Sequence, residues 1–337
     1  MTSLLELRDV SMIFQQKLTG FGRKAPVPAV SNVNLTIREG EIIALVGESG
    51  CGKTTLGKIV TGLHKPTDGQ LLFEGNDVWS MARSQFAAYR RSVQLVQQDS
   101  YAALNPMRTI YQSLSAPLLQ HKLTRGRKET ASRAAELLER VGLTPAEQFF
   151  DKYPHQLSGG QRQRVLMARA ISLNPRLIVA DEPVSMIDVS LRMSILKLMA
   201  SLNQQMGIAF LYITHDLATA RYIARHGRLA VMYLGKIVEQ GQVHEVLRRP
   251  RHPYLQALLT AVPVPNPRIA KAKRELPLKS LDLPSITNPP SGCSFHPRCP
   301  YADETCERTV PTLTQTENTY VACHHLERVK PWPADYG

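Results

Sequence analysis

A glycine-rich stretch, GESGCGKT at residues 47–54, carries the clearest chemistry in this 337-residue chain. This stretch, the phosphate loop, fits the pattern G-x-x-x-x-G-K-[ST], in which glycines let backbone N–H groups turn inward around phosphate oxygens. Lys53 is placed to reach the β- and γ-phosphates of a nucleotide, and the Thr54 hydroxyl is placed to bind Mg²⁺. The apolar run before it and TTLGKIVTGL after it predict the strand and helix that this motif needs. A glycine-rich turn that fits by chance is the alternative.

Two adjacent carboxylates supply a second part of the same chemistry. In RLIVADEP, residues 176–183, an apolar strand ends in Asp181, which can hold Mg²⁺, often through water. Glu182 follows directly and is placed to polarise an attacking water as a general base. Two acids after a strand, taken alone, more often form a turn or a helix cap. Together with the phosphate loop they favour nucleotide hydrolysis.

A second candidate anion site lies in LSGGQ, residues 157–161. A helix that follows this segment places Ser158, Gly159 and Gly160 at its N-terminus, where backbone N–H groups and the helix dipole favour negative charge. A single chain has no evident use for a second phosphate site so far from the first. The alternative is a helix with an ordinary N-cap.

The composition is that of an ordinary globular protein, with 43% apolar and 20% charged residues. The N-terminus lacks a basic segment followed by a long apolar run, so we expect no signal peptide. No apolar run approaches the length that crosses a bilayer. We therefore expect a cytosolic chain whose thiols stay mostly reduced. The net charge of +13 fits either a phosphate-rich partner, such as nucleic acid or an anionic membrane surface, or basic residues scattered over a solvated surface.

The sequence around these motifs predicts an α/β domain. Strand-like alternation marks residues 1–45, and the turn residues of TDGQLLFEGNDV, residues 67–78, are typical of a hairpin. A helical stretch covers about residues 105–172, because apolar residues recur there at three-and-four spacing. The short apolar runs in RLIVAD and GIAFLYITHD end in polar residues, as parallel strands do when they carry a site at their C-terminal ends. Residues 229–242 are interpreted as two strands joined at Gly235.

The last part of the chain has a different character. Beyond residue 263 it becomes proline-rich, which predicts a linker or an irregular wrapping segment. Four of the five cysteines, the tail cysteines, follow this segment: Cys293, Cys299, Cys306 and Cys323. Disulfides are disfavoured in the cytosol, which leaves either a degraded remnant or a metal site. Four thiolates are a full ligand set for one iron–sulfur cluster or one zinc ion. The tail cysteines are separated by five, six and sixteen residues, and this spacing does not distinguish the two kinds of site. The fifth cysteine, Cys51, is interpreted as a small filler in the phosphate loop rather than a nucleophile.

These motifs occur in the order found in the ATP-binding subunits of ABC transporters, and the chain resembles that family over about residues 4–330. In that family LSGGQ is the signature motif, which is formed here by Leu157, Ser158, Gly159, Gly160 and Gln161. It grips the γ-phosphate of an ATP held by the partner subunit, so that two chains enclose two ATP molecules. The resemblance implies an α/β fold, the P-loop NTPase fold of ABC type with a RecA-like core, an antiparallel β subdomain, a helical subdomain and a small irregular cysteine-containing extension.

The resemblance also implies roles for individual residues. Gln98 corresponds to the Q-loop glutamine, which contacts Mg²⁺ and senses the membrane subunit, and Asp188 corresponds to the D-loop. His215 corresponds to the switch histidine at the γ-phosphate, and Phe14 to the aromatic residue that stacks on adenine. The implied ATP site consists of Phe14, Gly47, Glu48, Ser49, Gly50, Cys51, Gly52, Lys53, Thr54, Thr55, Gln98, Asp181, Glu182 and His215. The implied catalytic residues are Glu182, His215, Lys53 and Gln98, and the implied Mg²⁺ ligands are Thr54, Gln98 and Asp181.

A narrower resemblance is to the ATPases of di- and oligopeptide importers, in particular the "F" member of their paired ATPases. It rests on QDSYAALNPMRTI, on the proline-rich linker, on the tail cysteines and on residues 15–30, interpreted as an insertion between the first two strands. It implies a [4Fe–4S] cluster bound by the four tail cysteines, with zinc as the alternative and with His296, His324 and His325 outside the ligand set. Relatives with the same layout carry nickel or oligosaccharides, and the sequence of the ATPase does not separate these cargoes from peptides.

The resemblance implies a peripheral subunit on the cytoplasmic face of the inner membrane. Its implied partners are an identical or paralogous ATPase subunit, two transmembrane permease subunits and, indirectly, an extracytoplasmic solute-binding protein. The implied division of the chain is a nucleotide-binding cassette at residues 1–260, with a helical subdomain at about residues 100–172, followed by the linker and extension at residues 261–337.

Two other function classes receive less support from the sequence. ABC ATPases that act on ribosomes or in DNA repair usually carry tandem halves or long coiled coils, whereas this chain has one set of motifs and no extended heptad pattern. A nucleic-acid-binding module would need an aromatic stacking surface or a recognition helix, and with 6% aromatic residues neither is evident. We therefore expect an ATPase that drives uptake of di- or oligopeptides and binds no nucleic acid.

Overall fold

The computed structural model describes residues 3–17, 24–262 and 277–332, and its largest element is an eight-stranded sheet. In chain order its strands are β3 (Ile42–Val46), β6 (Val93–Val96), β7 (Leu177–Asp181), β8 (Ala209–Thr214), β9 (Arg228–Tyr233), β10 (Lys236–Gln242), β11 (Thr314–Thr316) and β12 (Thr319–Val321). Across the sheet the order is β11-β12-β10-β9-β3-β8-β7-β6. The predicted strands of the sequence are thereby confirmed, including the pair β9 and β10 around Gly235.

Five strands of this sheet run parallel. The strand β3 pairs in parallel with β8 and β9, and β7 pairs in parallel with β6 and β8. The segments that follow β3, β6, β7 and β8 therefore leave from the same edge of the sheet, where parallel sheets place ligand sites. Every residue of β3 is buried, and alternate residues join two different clusters. Ile43 and Leu45 pack on one face of the sheet, and Ala44 and Val46 pack on the other.

A second, antiparallel sheet covers the face of β3 that carries Ile43 and Leu45. It consists of β1 (Ser3–Lys17), β2 (Lys24–Arg38), β4 (Asp68–Phe73) and β5 (Asn76–Asp77), in the order β2-β1-β4-β5. The β1–β2 ladder continues as far as the pair Lys17 and Lys24. The predicted insertion at residues 15–30 is therefore wrong for the described residues, which extend the two strands themselves because Gln15 pairs with Pro26. Residues 18–23 lie outside the described part of the chain.

Helices fill the connections between the strands. The α-helices of the described residues are α1 (Lys53–Val60), α2 (Arg83–Ser92), α3 (Ile110–Gln120), α4 (Arg127–Arg140), α5 (Glu147–Phe150), α6 (Gly159–Ile171), α7 (Val189–Met206), α8 (Leu217–Ile223), α9 (Val243–Arg248), α10 (Pro253–Ala261) and α11 (Glu304–Arg308). The helices α3 to α6 confirm the predicted helical stretch. Within the described ranges, none of the helices has the length and apolar character needed to cross a membrane.

The C-terminal region adds two strands to the edge of the main sheet. The strand β12 pairs antiparallel with β10, with Val321 opposite Glu239, and β11 forms a hairpin with β12. The sequence predicted only irregular structure here, because strands of three residues are too short to show a period. The predicted linker falls largely on residues 263–276, which lie outside the described residues.

Candidate nucleotide site and cysteine cluster

The phosphate loop connects the end of β3 to the start of α1. Lys53, the first residue of α1, is 5% exposed, and its ammonium donates to the carbonyl oxygens of Gly47 at 2.8 Å and Glu48 at 3.0 Å. The loop therefore closes around the ammonium group at the N-terminal end of a helix, where an anion is favoured.

Two glycines of this loop lie against other backbone segments. A Cβ atom at Gly47 would lie 2.2 Å from the carbonyl oxygen of Met232. One at Gly52, which has a φ of 105°, would lie 2.1 Å from the carbonyl oxygen of Ala29. Any side chain at either position would displace the loop, because the obstructing atoms belong to the backbone.

Asp181 and Thr54 form an oxygen-rich pair beside the phosphate loop. Burial raises the pKa of the Asp181 carboxyl, and a contact with the Thr54 hydroxyl opposes that rise. Among the described residues, Oδ1 of Asp181 is buried without a hydrogen-bond partner. A carboxylate and a hydroxyl are the hard oxygen ligands that Mg²⁺ prefers, so the unpartnered oxygen fits the predicted metal site.

Glu182 lies between Gln98 and His215. Its Oε2 accepts a hydrogen bond from Nε2 of Gln98 at 3.0 Å, and its Oε1 lies 2.9 Å from Nδ1 of His215. The Glu182 side chain is 14% exposed and that of His215 is 54% exposed, so the pair faces an open edge. Glu182 has a φ of 46°, a left-handed conformation that non-glycine residues rarely adopt, and its N–H donates to the carbonyl oxygen of Ile213 at 2.9 Å. The structure thus brings together three residues predicted for the site from the ends of β6, β7 and β8.

The LSGGQ segment lies at the start of α6. The Ser158 hydroxyl accepts from the N–H of Gln161 at 3.2 Å, and the Gln161 side chain accepts from the N–H of Ser158 at 3.0 Å, which forms a capping box. A Cβ atom at Gly159 would lie 3.6 Å from the carbonyl oxygen of Met186, so this turn is adjacent to the segment that contains Asp188. Among the described residues, no hydrogen bond joins the LSGGQ turn to the phosphate loop of the same chain.

The remaining predicted residues, Asp188 and Phe14, lie at the start of α7 and on β1. Asp188 precedes α7, and its carbonyl oxygen accepts from the N–H groups of Leu191 and Arg192. Phe14 is on β1, is 37% exposed, and meets the His64 ring edge-on at a centroid distance of 5.7 Å. Its exposed ring is free to accept a planar partner, which suits the predicted contact with adenine.

The comparisons with known proteins agree with this geometry. The family model described as "ABC transporter" matches residues 30–185, and that described as "Oligopeptide/dipeptide transporter, C-terminal region" matches residues 238–306. The oligopeptide transport ATP-binding protein AppF of Bacillus subtilis is 43% identical over 96% of this chain and 97% of its own length. The chain belongs to the family of ABC transporter ATP-binding subunits.

Other members of the family show the same relationship. The di/tripeptide transport ATP-binding protein DppF of Pseudomonas aeruginosa is 40% identical over 97% of this chain and 99% of its own length. Among solved structures, the ATP-binding cassette MJ0796, determined as a dimer in a post-hydrolysis state bound to ADP and Pi, is 30% identical. It superposes with a TM-score of 0.60 over 71% of this chain and 98% of its own. The ABC cassette therefore accounts for the larger part of this chain.

In the C-terminal region, the tail cysteines lie close enough to raise one another's pKa. All four are free thiols. Burial, together with the neighbouring tail thiols, raises the pKa of Cys299 to about 12 and that of Cys323 to about 11. Burial also raises the pKa of Cys293 and of Cys306. Without a cation the four thiols therefore stay protonated, whereas a bound metal would hold them as thiolates.

Asp303 and His325 lie beside Cys306. The sequence analysis did not identify Asp303 and placed His325 outside the ligand set. Ligand atoms of Asp303, Cys306 and His325 lie within 4.8 Å of one another. Oδ2 of Asp303 is 2.8 Å from Nε2 of His325, and hydrogen bonding with His325 lowers the pKa of Asp303. Asp303 precedes Cys306 in DETC, where the sequence shows only a helix N-cap, so no signal in the sequence joins it to a histidine 22 residues later.

A third group missed by the sequence analysis joins the C-terminal region to the phosphate loop. The Arg298 guanidinium donates to both carboxylate oxygens of Glu48, at 2.9 and 3.2 Å. The N–H of Glu48 donates to the hydroxyl oxygen of Tyr254 at 2.8 Å. No local pattern predicts pairs separated by 250 and 206 residues.

Proposed function

We propose that this ABC cassette hydrolyses ATP, and the observation that carries the proposal is the position of Glu182 between Gln98 and His215 beside the phosphate loop. Lys53 and the inward N–H groups of the loop bind phosphate oxygens, for which Lys53 exchanges its contacts with Gly47 and Glu48. Glu182 orients a water for in-line attack and accepts its proton. His215 contacts the γ-phosphate, which couples Glu182 to the nucleotide.

Thr54 and Asp181 would hold Mg²⁺, with Gln98 as a further ligand, and the unpartnered oxygen of Asp181 supports this assignment. The ion supplies charge neutralisation on the phosphate oxygens when it is bound. Phe14 stacks on adenine, and the other residues of the phosphate loop line the nucleotide.

The ATP site is completed by a second ATPase subunit, identical or paralogous. The Ser158–Gly160 turn is an anion site with no hydrogen bond to its own phosphate loop among the described residues, which supports a role on the nucleotide of a partner. MJ0796, one of the solved relatives, was determined as a dimer. Closure of two such subunits on two ATP molecules moves the helical subdomain, at about residues 100–172, relative to the rest of the cassette at residues 1–260.

The chain powers an importer of di- or oligopeptides. The names of AppF and DppF, and the match of residues 238–306 to the oligopeptide/dipeptide C-terminal region, support this cargo over nickel and oligosaccharides. The partners are two transmembrane permeases and an extracytoplasmic solute-binding protein. The subunit lies peripherally on the cytoplasmic face of the inner membrane, where its net charge of +13 suits anionic lipid.

The tail cysteines bind a [4Fe–4S] cluster that stabilises the extension at residues 261–337. A tetrahedral zinc ion with Zn–S bonds of about 2.3 Å places its sulfur ligands about 3.8 Å apart. Among the described residues, the one group of three potential ligands within 4.8 Å is Asp303, Cys306 and His325, so no three of the tail thiols lie that close. The absence of three tail thiols within 4.8 Å favours a multi-iron cluster over a single zinc ion, because a cluster holds its four cysteines farther apart.

Co-purification and ATP turnover test the proposed function. The full chain, expressed with its permeases, is expected to be recovered from membranes with them and to release phosphate from ATP in the assembled complex. Recovery with ribosomes or DNA instead would contradict the importer assignment. A Glu182→Gln complex that turns over ATP at the wild-type rate would contradict the assigned base.

A further inference from the structure

A side chain of the cysteine-containing extension forms an ion pair with a residue of the phosphate loop. Arg298, which directly precedes Cys299, is 5% exposed and forms a two-pronged ion pair with the Glu48 carboxylate at 2.9 and 3.2 Å. Paired N–H···O bonds of this kind fix orientation as well as distance. The pair spans 250 residues of sequence, so that one partner belongs to the extension and the other to the nucleotide site.

The backbone of Glu48 is held by a second contact. Its N–H donates to the Tyr254 hydroxyl at 2.8 Å. The Tyr254 ring packs on Tyr233 at a centroid distance of 4.6 Å and on Phe295 of the extension at 5.6 Å. Tyr254 and Phe295 are each 1% exposed, so the anchor of this contact is part of the buried core.

Glu48 also contacts the lysine that reaches the phosphates. The carbonyl oxygen of Glu48 accepts from the Lys53 ammonium at 3.0 Å. A continuous series of contacts therefore runs from Arg298 through Glu48 to Lys53. A shift of Glu48 would change the position from which Lys53 meets a nucleotide.

The position of Arg298 is fixed by residues of β9 and of the extension. Its guanidinium lies 5.9 Å from the centroids of the Tyr233 and Phe295 rings, and its carbonyl oxygen accepts from the N–H of Lys279 at 2.8 Å. Because both partners of the ion pair are mostly shielded from water, the pair is less screened than the exposed ion pairs of the surface.

We propose that Arg298 is a positioning residue for ATP binding, which holds the phosphate loop in its nucleotide-accepting form through Glu48. This inference rests on the proposed ATPase function and assigns to the extension a direct effect on ATP affinity. The phosphate loop then keeps its geometry only when the segment around Cys299 is folded against it, so the folded extension contributes to ATP binding.

The test compares ATP KM, kcat and the Kd of a fluorescent ATP analogue in the assembled importer. Arg298→Met and Glu48→Gln are each expected to raise KM and Kd about tenfold, with kcat changed by less than about twofold. The reversed pair, Glu48→Arg with Arg298→Glu, is expected to recover most of the loss. Arg249→Met is the matched control, because Arg249 pairs with Glu317 of the extension at 3.2 Å through exposed side chains, and neither residue is a partner of Glu48 in the ion pair. It is expected to leave KM unchanged.

Glu48→Gln removes the charge of the side chain and nearly keeps its shape. This variant therefore still tests the inference if Arg298→Met does not fold. A Kd within about twofold of wild type for Glu48→Gln would overturn the inference. So would a reversed pair that binds ATP no better than the single variants. A wild-type complex that neither binds nor hydrolyses ATP would instead contradict the proposed function itself.

Discussion

Nδ1 of His215 lies 2.9 Å from Oε1 of Glu182, although the two residues are 33 positions apart in the chain. They meet because Glu182 follows β7 and His215 follows β8, which are neighbouring parallel strands with Asp181 opposite Ile213. The contact therefore depends on the register of the central sheet. Since Gln98 holds the other oxygen of the same carboxylate, Glu182 is oriented by two side chains from two further strand ends.

Replacing Glu182 by Gln is expected to retain ATP binding and to lower the hydrolysis rate by about 100-fold or more, because a carboxamide cannot accept the proton of the attacking water. Phosphate release and nucleotide binding, measured on the same preparation, check both parts. Glu136→Gln is a suitable control, since Glu136 pairs with Arg133 on the exposed surface of α4.

Replacing Lys53 by Ala is expected to weaken nucleotide binding itself, by about 10- to 100-fold in Kd, since a charge-assisted contact with phosphate is lost. The carbonyl oxygens of Gly47 and Glu48 also lose their donor, which removes the internal contacts of the loop. A variant with unchanged Kd and reduced kcat would show that Lys53 acts only in the chemical step. Equilibrium titration with a fluorescent ATP analogue distinguishes the two outcomes.

Replacing Cys299 by Ser is expected to abolish the iron and sulfide content and the brown colour of the anaerobically purified chain, because the proposed cluster would lose one of its four ligands. Cys51→Ser is the matched control, as Cys51 is buried in the phosphate loop and is expected to leave the metal content unchanged. A colourless wild-type protein that carries one zinc ion per chain would contradict the cluster assignment.

His252 predicts a dependence of stability on pH. Its side chain is buried against Phe295, Nδ1 accepts from the N–H of Tyr254 at 3.1 Å, and burial lowers its pKa to about 3. The unfolded chain takes up this proton near pH 6.5, so neutral His252 stabilises the folded chain above that pH. This stabilisation is lost as the pH falls from about 6.5 towards 3, at about 1.4 kcal/mol per pH unit.

His252→Asn isolates this effect, because asparagine keeps an acceptor for the Tyr254 N–H and does not titrate. Urea unfolding at pH 7 and at pH 5.5 is expected to show that the wild type loses about 1.4 kcal/mol more than the variant. Equal losses in the two chains would contradict the assignment of a neutral, buried histidine.

Features set by local sequence could be predicted, and features set by distant contacts could not. The phosphate loop, the acidic pair after β7 and the cap of α6 are each contained in fewer than ten consecutive residues, so their residue types and spacing show the chemistry. The apolar runs predicted the parallel strands for the same reason. The convergence of Gln98, Glu182 and His215 also needs the order and register of those strands, which no local segment shows. Their roles in hydrolysis remain predictions until the variants are measured.

The Glu48–Arg298 pair illustrates the other case. Each residue alone resembles an ordinary charged residue, and only the folded extension reveals that they meet. The pairing of β12 with β10 and the proximity of Asp303 to His325 likewise depend on where the chain returns after the linker. The continuation of β1 and β2 past Gln15 differs from the predicted insertion, because that prediction rests on a family resemblance and a resemblance does not show which residues pair.

Peptide uptake by reconstituted vesicles tests the central claim most directly. Vesicles that contain the permeases, this chain and its partner ATPase, supplied with the solute-binding protein, are expected to accumulate a labelled oligopeptide when ATP·Mg²⁺ is present at the face that carries the ATPases. Vesicles carrying Glu182→Gln are expected to accumulate none above the ATP-free level. Equal peptide accumulation with the wild-type chain, with the variant and without ATP would contradict the account.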